Sequence, residues 1–481
     1  MNKFTNFLII GISIFIFISC GSTGKKSNDS SLALTTESVE ENSTEITPDS
    51  DNIPEIIFED TVDINETQYF AVKSPTECSL NNQNKFVYEV MHDSYLWNQE
   101  VDELDYTTDN YDSPEKLLEE IKSSNDRFSF IIDYKTAQSY FEEGKNENFG
   151  FSLGLAFFKE NTYALVIKYV YPNSPADKKG IKRGDVITLV DSKTITEESL
   201  DNIIEIFEKS NKITLTFWHN NMTYERTIEK KSYDINPILY TNIFQSNKHK
   251  VGYMVFQDFI DKATMDIDFT FFNFKREGIN DLILDLRYNG GGSENLANHI
   301  ASIIGGSNLS QKVFHHVNFN EKYSQYNTTI YFQNNPIEAL NLNRVFVITT
   351  EATCSASELV INALRASANG VEVIQIGKPT CGKPYGFLGA GIFCDKALYA
   401  INIETKNSDG DGDYTEGLTP TCIADDNIFK NFGEMSESSL NEALYYIANE
   451  RCSGNQNIQK LSKPKTLSLP QKGFRKIMSA Y

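Results

Sequence analysis

Apolar strand-like runs alternate with amphipathic helical stretches along the second half of the chain, from about residue 233 to residue 450. Runs such as "DLILDLRY", "RVFVITT" and "VEVIQIG" are separated by stretches such as "SENLANHIASIIG" and "SASELVINALRASA". Parallel strands need a long crossover connection, usually a helix, so this alternation restricts the possible folds strongly. It predicts an α/β region built around a largely parallel central sheet.

Two smaller regions precede this one. Residues 147–232 contain short β-rich runs in the order strand, Pro/Gly turn, strand, helix, strands, which predicts a compact β-sandwich module. Residues 67–146 have a helical pattern, with Ser113 as a cap before Pro114 at the first helical position. This pattern predicts a small N-terminal helical domain, and no motif in it indicates chemistry.

The N-terminus predicts export from the cytoplasm. Residues 1–20 combine an early lysine with an apolar run that is short for a membrane span, as in a signal peptide. The Cys20 that follows resembles the lipobox cysteine of bacterial lipoproteins, which implies acylation and a lipid-anchored location in the bacterial cell envelope. Ordinary secretion, with Cys20 discarded, is the alternative. Residues 21–66 are acidic and rich in Ser and Thr, which predicts a disordered linker, and residues 451–481 form a basic C-terminal tail.

Charge and cysteine content limit the possible ligands. The formal net charge is −22 and no basic stripe offsets it, so we expect no nucleic acid partner. Six cysteines remain besides Cys20, and in an oxidising compartment six cysteines allow 15 complete disulfide pairings, among which the sequence does not choose. No C-x-x-C spacing indicates zinc. The six are Cys78, Cys354, Cys381, Cys394, Cys422 and Cys452.

Three stretches in the α/β region contain residues that could carry chemistry. Gly290–Gly292 follow a buried strand, where glycine leaves backbone N–H groups accessible to an anion. Ser355 opens a helix and forms an S-x-x-E capping box with Glu358. Lys383 lies in a glycine loop after the next strand. Taken singly, these features are a turn, a helix cap and a solvated charge.

Taken together and in this order, the stretches resemble the carboxy-terminal processing, or tail-specific, serine proteases. That family combines a D-L-R-x-N-x-G-G strand end, an S-A-S-E motif and a G-x-P-T-x-G-K loop with a PDZ domain. The corresponding segments here are 285–292, 355–358 and 377–383, and "NSPADKKGIKRGDVITLVD" resembles the PDZ signature. The resemblance extends over roughly residues 86–450.

The resemblance implies a crotonase-like α/β catalytic domain with an inserted or preceding PDZ β-sandwich. It makes Ser355 the nucleophile and Lys383 its base, with the backbone N–H groups of Gly291 and Ala356 as oxyanion donors. It implies no metal and no organic cofactor. The partners would be proteins or peptides with free C-termini, in addition to the membrane that holds the anchor.

The PDZ resemblance also implies a peptide groove, in which an extended substrate adds as a strand. The substrate carboxylate would meet the backbone of Phe149, Gly150, Phe151, Leu153 and Gly154. A structural module with no ligand is the alternative.

One position departs from the family pattern. Many members have a glutamine four residues after the lysine, where it helps to orient the base; this chain has Phe387. A catalytically inactive, peptide-binding envelope lipoprotein therefore remains an alternative to the protease. A binder of small hydrophobic ligands is a third possibility, because the catalytic fold also occurs in binding proteins.

Overall fold

The computed structural model describes residues 71–107, 109–159, 162–219, 222–246, 248–334, 336–454 and 466–467. The predicted signal peptide with Cys20 and the predicted linker lie outside these ranges, as does most of the C-terminal tail. Within the described ranges, no helix combines the length and the apolar character needed to cross a bilayer.

The N-terminal region contains short strands as well as the expected helices. Ser113 caps the second helix by accepting a hydrogen bond from the Lys116 N–H (3.2 Å), with Pro114 at the first helical position as predicted. The strands arise from "FSFIID" and "KNEN", which are too short to be recognised by periodicity. The elements are α1 (Leu80–Asp93), α2 (Pro114–Ile121), β1 (Phe130–Asp133), α3 (Tyr134–Phe141) and β2 (Lys145–Asn148).

The PDZ-like region follows the predicted order of elements. Its elements are β3 (Phe151–Lys159), β4 (Thr162–Val170), α4 (Pro175–Lys178), β5 (Val186–Val190), β6 (Lys193–Thr194), α5 (Leu200–Lys209), β7 (Lys212–His219) and β8 (Met222–Glu229). The main strands of this region pair in the order β3-β4-β5-β7-β8, and α5 packs Phe207 against Phe149 and Phe151 at the start of β3. A further strand, β9 (Lys231–Asp234), pairs with β2.

The remaining region has the predicted alternation of strands and helices. Its first half comprises β10 (Ile238–Ser246), β11 (His249–Phe256), α6 (Thr264–Glu277), β12 (Asp281–Asp285), α7 (Glu294–Gly305), β13 (Val313–Phe319) and β14 (Thr328–Tyr331). Its second half comprises β15 (Arg344–Thr349), α8 (Ala356–Arg365), β16 (Glu372–Gly377), β17 (Tyr385–Gly386), β18 (Gly391–Phe393), β19 (Lys396–Tyr399), β20 (Ile403–Lys406), β21 (Cys422–Ile423) and α9 (Ser438–Asn449).

A six-stranded sheet forms the centre of this region, in the order β10-β11-β12-β15-β16-β21. All of its pairings are parallel except that of β10 with β11, which confirms the predicted sheet type. Successive side chains alternate between the two faces, and helices cover both. Leu282 and Leu284 pack towards α6, α7 and α8, whereas Ile283 packs towards α9. The carboxyl ends of β12, β15 and β16 therefore lie side by side at one edge.

A segment predicted as one strand, "KALYAINIETK", is divided between two sheets. β19 joins β1 and β18, whereas β20 joins β13, β14 and β17. The break occurs where the Ile401 N–H donates to Ser129 Oγ (3.0 Å) and the Ile401 carbonyl accepts from the Leu96 N–H (2.9 Å). Ser129 and Leu96 of the N-terminal region therefore supply the hydrogen bonds that a neighbouring strand would make to Ile401. The N-terminal region packs directly against the α/β region at this point.

Candidate active site

Ser355 lies between the carboxyl end of β15 and the first residue of α8. Its backbone has φ 56° and ψ −118°, a conformation that residues with side chains rarely adopt. Such a conformation costs of order 1–3 kcal/mol and is concentrated at functional sites. This backbone conformation places Ser355 at the N-terminal end of α8, where the helix dipole favours negative charge.

The glycine segment after β12 lies directly against Ser355. Gly291 has φ 106°, and a Cβ there would come within 2.7 Å of Ser355 Cβ and 3.0 Å of the Ala356 backbone nitrogen. A side chain is therefore excluded, as the oxyanion prediction requires. The Gly291 N–H, however, donates to Asn289 Oδ1 at 2.8 Å. An oxyanion role for this N–H requires it to share or release that bond, so Gly291 and Ala356 as donors remain predictions.

Lys383 lies in the loop after β16 and is only 3% exposed. Its Nζ is 3.9 Å from the centroid of the Phe387 ring and 5.4 Å from that of Phe128. Burial lowers the pKa of Lys383 to about 7, against the opposing effect of the nearby carboxylates of Asp126 and Glu358. Near neutral pH, a substantial fraction of this amine is therefore uncharged and able to accept a proton.

The fully buried carboxylate of Glu358 joins the serine segment to the lysine loop. It accepts hydrogen bonds from the Ser355 N–H (2.9 Å), Thr380 Oγ1 (2.5 Å), the Gly382 N–H (2.8 Å) and the Lys383 N–H (2.9 Å). Burial raises the pKa of Glu358, and these donors oppose the rise. The sequence predicted only the helix-capping bond to Ser355. The bonds to the lysine loop could not be inferred from the S-x-x-E spacing.

A disulfide between Cys354 and Cys381 provides a second connection between the same two segments. The structure also pairs Cys78 with Cys394 and Cys422 with Cys452, which selects one of the 15 pairings. Two Cys–Glu–Cys groups among the described residues have ligand-like spacing, but their cysteines are those of two of the disulfides. A disulfide sulfur is not the thiolate that binds zinc.

Ser355, Ala356 and Lys383 line one cavity of about 440 Å³, together with Gly290 and Gly292. Its remaining wall is mainly aromatic and aliphatic, and carboxylates also line it. No hydrogen bond among the described residues joins Ser355 Oγ to Lys383 Nζ; catalytic hydrogen bonds often tighten only when substrate binds. The aromatic wall comprises Phe130, Tyr134, Phe141, Phe259, Tyr385, Phe387 and Tyr399, and the carboxylates are Glu142, Asp261 and Glu294.

The predicted PDZ residues lie away from this cavity. The side chains of Phe149, Phe151 and Leu153 are fully buried in the PDZ core, so only their backbone could meet a peptide. The Gly150 N–H donates to Asn148 Oδ1 (2.7 Å). The far edge of β3 pairs with a two-residue strand, β22 (Thr466–Leu467). This pairing shows that the edge accepts an added strand.

A buried ionic network connects the PDZ-like region to the glycine segment. Arg183, from the "GIKRGD" turn, donates to Asp426 (2.6 Å) and to the Tyr288 hydroxyl (2.9 Å). Asp426 also contacts Arg287 (2.9 Å), and the two arginines hold the pKa of Asp426 far below its usual range. Tyr288 and Arg287 directly precede Asn289 and the glycines, so the network fixes the strand end on which the candidate site depends.

The chain matches three family models. Residues 250–421 match peptidase family S41, residues 82–130 match the peptidase S41 N-terminal domain, and residues 166–218 match a PDZ domain. These matches confirm the resemblance inferred from the motifs and the mixed α/β fold class.

Curated relatives and a solved structure agree with these matches. A CtpA-like serine protease of Staphylococcus aureus is 26% identical over 230 residues, which cover 47% of this chain and 43% of the relative. One of Staphylococcus epidermidis is 25% identical over 223 residues, which cover 46% of this chain and 42% of the relative. The matched segments thus span less than half the length of these relatives. A crystal structure from Bacteroides fragilis, described as an S41 protease, aligns with a TM-score of 0.63 at 25% identity, and the alignment covers 76% of this chain and 97% of that one.

Proposed function

We propose that this chain, a member of peptidase family S41, is a serine endopeptidase that cleaves protein tails or unfolded proteins with a Ser355–Lys383 dyad. One observation carries the proposal. A strained serine at a helix N-terminus and a buried lysine with a pKa near 7 line the same cavity. Neither a helix cap nor a solvated surface charge needs this environment.

In the proposed reaction, Lys383 accepts the proton of the Ser355 hydroxyl while Oγ attacks the scissile carbonyl carbon. The negative charge that develops on the carbonyl oxygen is stabilised by the Ala356 N–H and the positive end of the α8 dipole. The C–N bond then breaks, and Lys383 returns the proton to the leaving amine. Water, deprotonated by the same lysine, hydrolyses the acyl-enzyme and restores Ser355.

We also propose how substrate reaches the site. An extended peptide would add to the outer edge of β3 at the PDZ residues Phe149–Gly154, before the positions that pair with β22, and present its chain to the cavity. Lipid attachment at Cys20 would hold the protein at a membrane of the bacterial envelope, where unfolded exported proteins are the accessible substrates. The pairing of β22 with β3 supports strand addition at this edge.

The pH dependence of cleavage tests the proposed base. A lysine with a pKa of about 7 must be deprotonated to act, so kcat/KM for an unfolded protein substrate should rise with pH through about 7. Below pH 7, kcat/KM should fall about tenfold per pH unit, because each unit reduces the fraction of neutral Lys383 about tenfold. A profile without this acidic limb, or the absence of cleavage between pH 6 and 9, would contradict the proposal.

A further inference from the structure

The end of the Lys383 side chain lies near two phenyl rings that come from distant parts of the sequence. Phe387 follows the lysine in the same loop, with its ring centroid 3.9 Å from Nζ, and Phe128 belongs to the N-terminal region, with its centroid 5.4 Å away. Phe387 is the residue that departs from the family pattern, in which an orienting glutamine is expected at this position. The base therefore contacts aromatic rings at the position where an amide partner is expected.

The segment that carries Phe128 is held firmly against the lysine loop. Asp126 Oδ1 accepts the N–H groups of Phe128 and Ser129, both at 2.8 Å. Arg127 Nη2 donates to the carbonyl oxygens of Cys381 (3.2 Å), Gly382 (3.4 Å) and Thr415 (3.1 Å). The first two of these bonds join the N-terminal region to the residues immediately before Lys383. The position of the Phe128 ring is therefore set relative to the base.

Phe387 is also confined. Its ring makes edge contacts with Phe130 and Tyr399, each with a centroid separation of 5.8 Å, and those two rings stack on each other at 5.0 Å. Aromatic contacts of this kind restrict ring orientation. Phe387 thus cannot turn away from Lys383 without disturbing these two neighbouring rings.

We propose that Phe128 and Phe387 are positioning residues that enclose Lys383 and replace the orienting glutamine. They hold the amine by packing and exclude water from it, so the N-terminal region completes the site of the base. This inference deepens the proposed function and rests on it. It also explains why an apolar residue at 387 is compatible with an active base.

The two physical effects of the rings oppose each other. A ring face attracts the ammonium form, whereas exclusion of water favours the neutral amine. Asp126 and Glu358 favour the charged form. The lowered pKa indicates that exclusion of water is the largest of these effects. Replacing a ring by a polar group should therefore let water in and make the lysine more basic.

Competitive acetylation measures this basicity without turnover. In a Ser355→Ala background, acetic anhydride labelling of Lys383 against pH, read by peptide mass mapping, gives the midpoint at which the neutral amine appears. Phe387→Gln should move the midpoint up by about one pH unit, which reduces the neutral fraction at pH 7 from about half to about a tenth. Phe387→Leu should keep it within about half a unit, because leucine still excludes water.

Two further variants complete the experiment. Phe128→Ala opens the other side and should raise the midpoint in the same direction, so the inference is tested even if Phe387→Gln does not fold. Phe269→Gln, at an exposed position on α6, is the matched control and should change nothing. Unchanged midpoints in both Phe387→Gln and Phe128→Ala would overturn the inference. If the midpoint shifts in these variants but the protein with Ser355 intact does not hydrolyse peptides, the enclosure of Lys383 by the two rings is supported and the protease proposal is contradicted.

Discussion

Replacing Ser355 with alanine is expected to reduce the hydrolysis of an unfolded protein substrate by about 10,000-fold or more. The variant loses the only atom that forms the acyl-enzyme, and the remaining oxyanion donors accelerate attack by water only weakly. Alanine has a similar volume and has to adopt the same positive φ, so the fold should be retained. The measurement compares the initial rates of hydrolysis of the variant and the wild type, after their thermal unfolding midpoints have been found equal.

Ser357→Ala is the matched control for this prediction. Ser357 belongs to the same motif and is also buried, but its hydroxyl donates to the Asn289 carbonyl oxygen (3.2 Å) and does not line the cavity. Its loss should cost about 1 kcal/mol of stability and leave most of the activity. If Ser355→Ala retained wild-type activity, or if both serine variants lost it equally, Ser355 would not be the nucleophile.

Replacing Glu358 with alanine should have the largest effect on stability. The change leaves buried donors from Ser355, Gly382 and Lys383 without their acceptor. An unsatisfied buried donor costs about 1–3 kcal/mol, so we expect the free energy of unfolding to fall by about 3 kcal/mol or more. Urea unfolding measures this loss of stability: the midpoint urea concentration should fall, while the slope of the unfolding free energy against urea concentration should stay unchanged.

Activity should fall further than stability alone explains, because Glu358 also joins the serine segment to the lysine loop. Under conditions where Glu358→Ala remains folded, we expect kcat to fall at least about tenfold, since a small displacement of a reacting group is costly. Glu372→Ala removes an exposed glutamate from β16 and serves as the control. A Glu358→Ala variant with the stability and kcat of the control would refute this role.

The candidate dyad could be proposed from the sequence because its signals are local. Ser355 and Lys383 each occur in a short motif at the end of a strand, and parallel strands bring such ends to one edge of a sheet. The helix cap at Ser113 and the order of the PDZ elements were predictable for the same reason.

The supporting contacts were not predictable because they join distant segments. Arg127 binds the carbonyl of Cys381 across 254 positions, and Arg183 reaches Asp426 across 243. No periodicity or spacing encodes such pairs. The N-terminal region was therefore expected to carry no chemistry, whereas it supplies Phe128 beside Lys383 and Phe130 beside Phe387. Likewise, Phe387 was recognisable as a departure, but its contact with Lys383 Nζ depends on the fold of the loop.

Labelling with a fluorophosphonate probe tests the central claim, an assembled Ser355–Lys383 dyad, most directly. At pH 8, wild-type protein should form an adduct that peptide mapping places on Ser355. Lys378→Ala, which removes another lysine from the same loop, should label equally, whereas Lys383→Ala should label at least about 100-fold more slowly because the base is missing. If folded wild-type protein formed no adduct, or if Lys383→Ala were labelled as fast as wild type, the dyad would be contradicted.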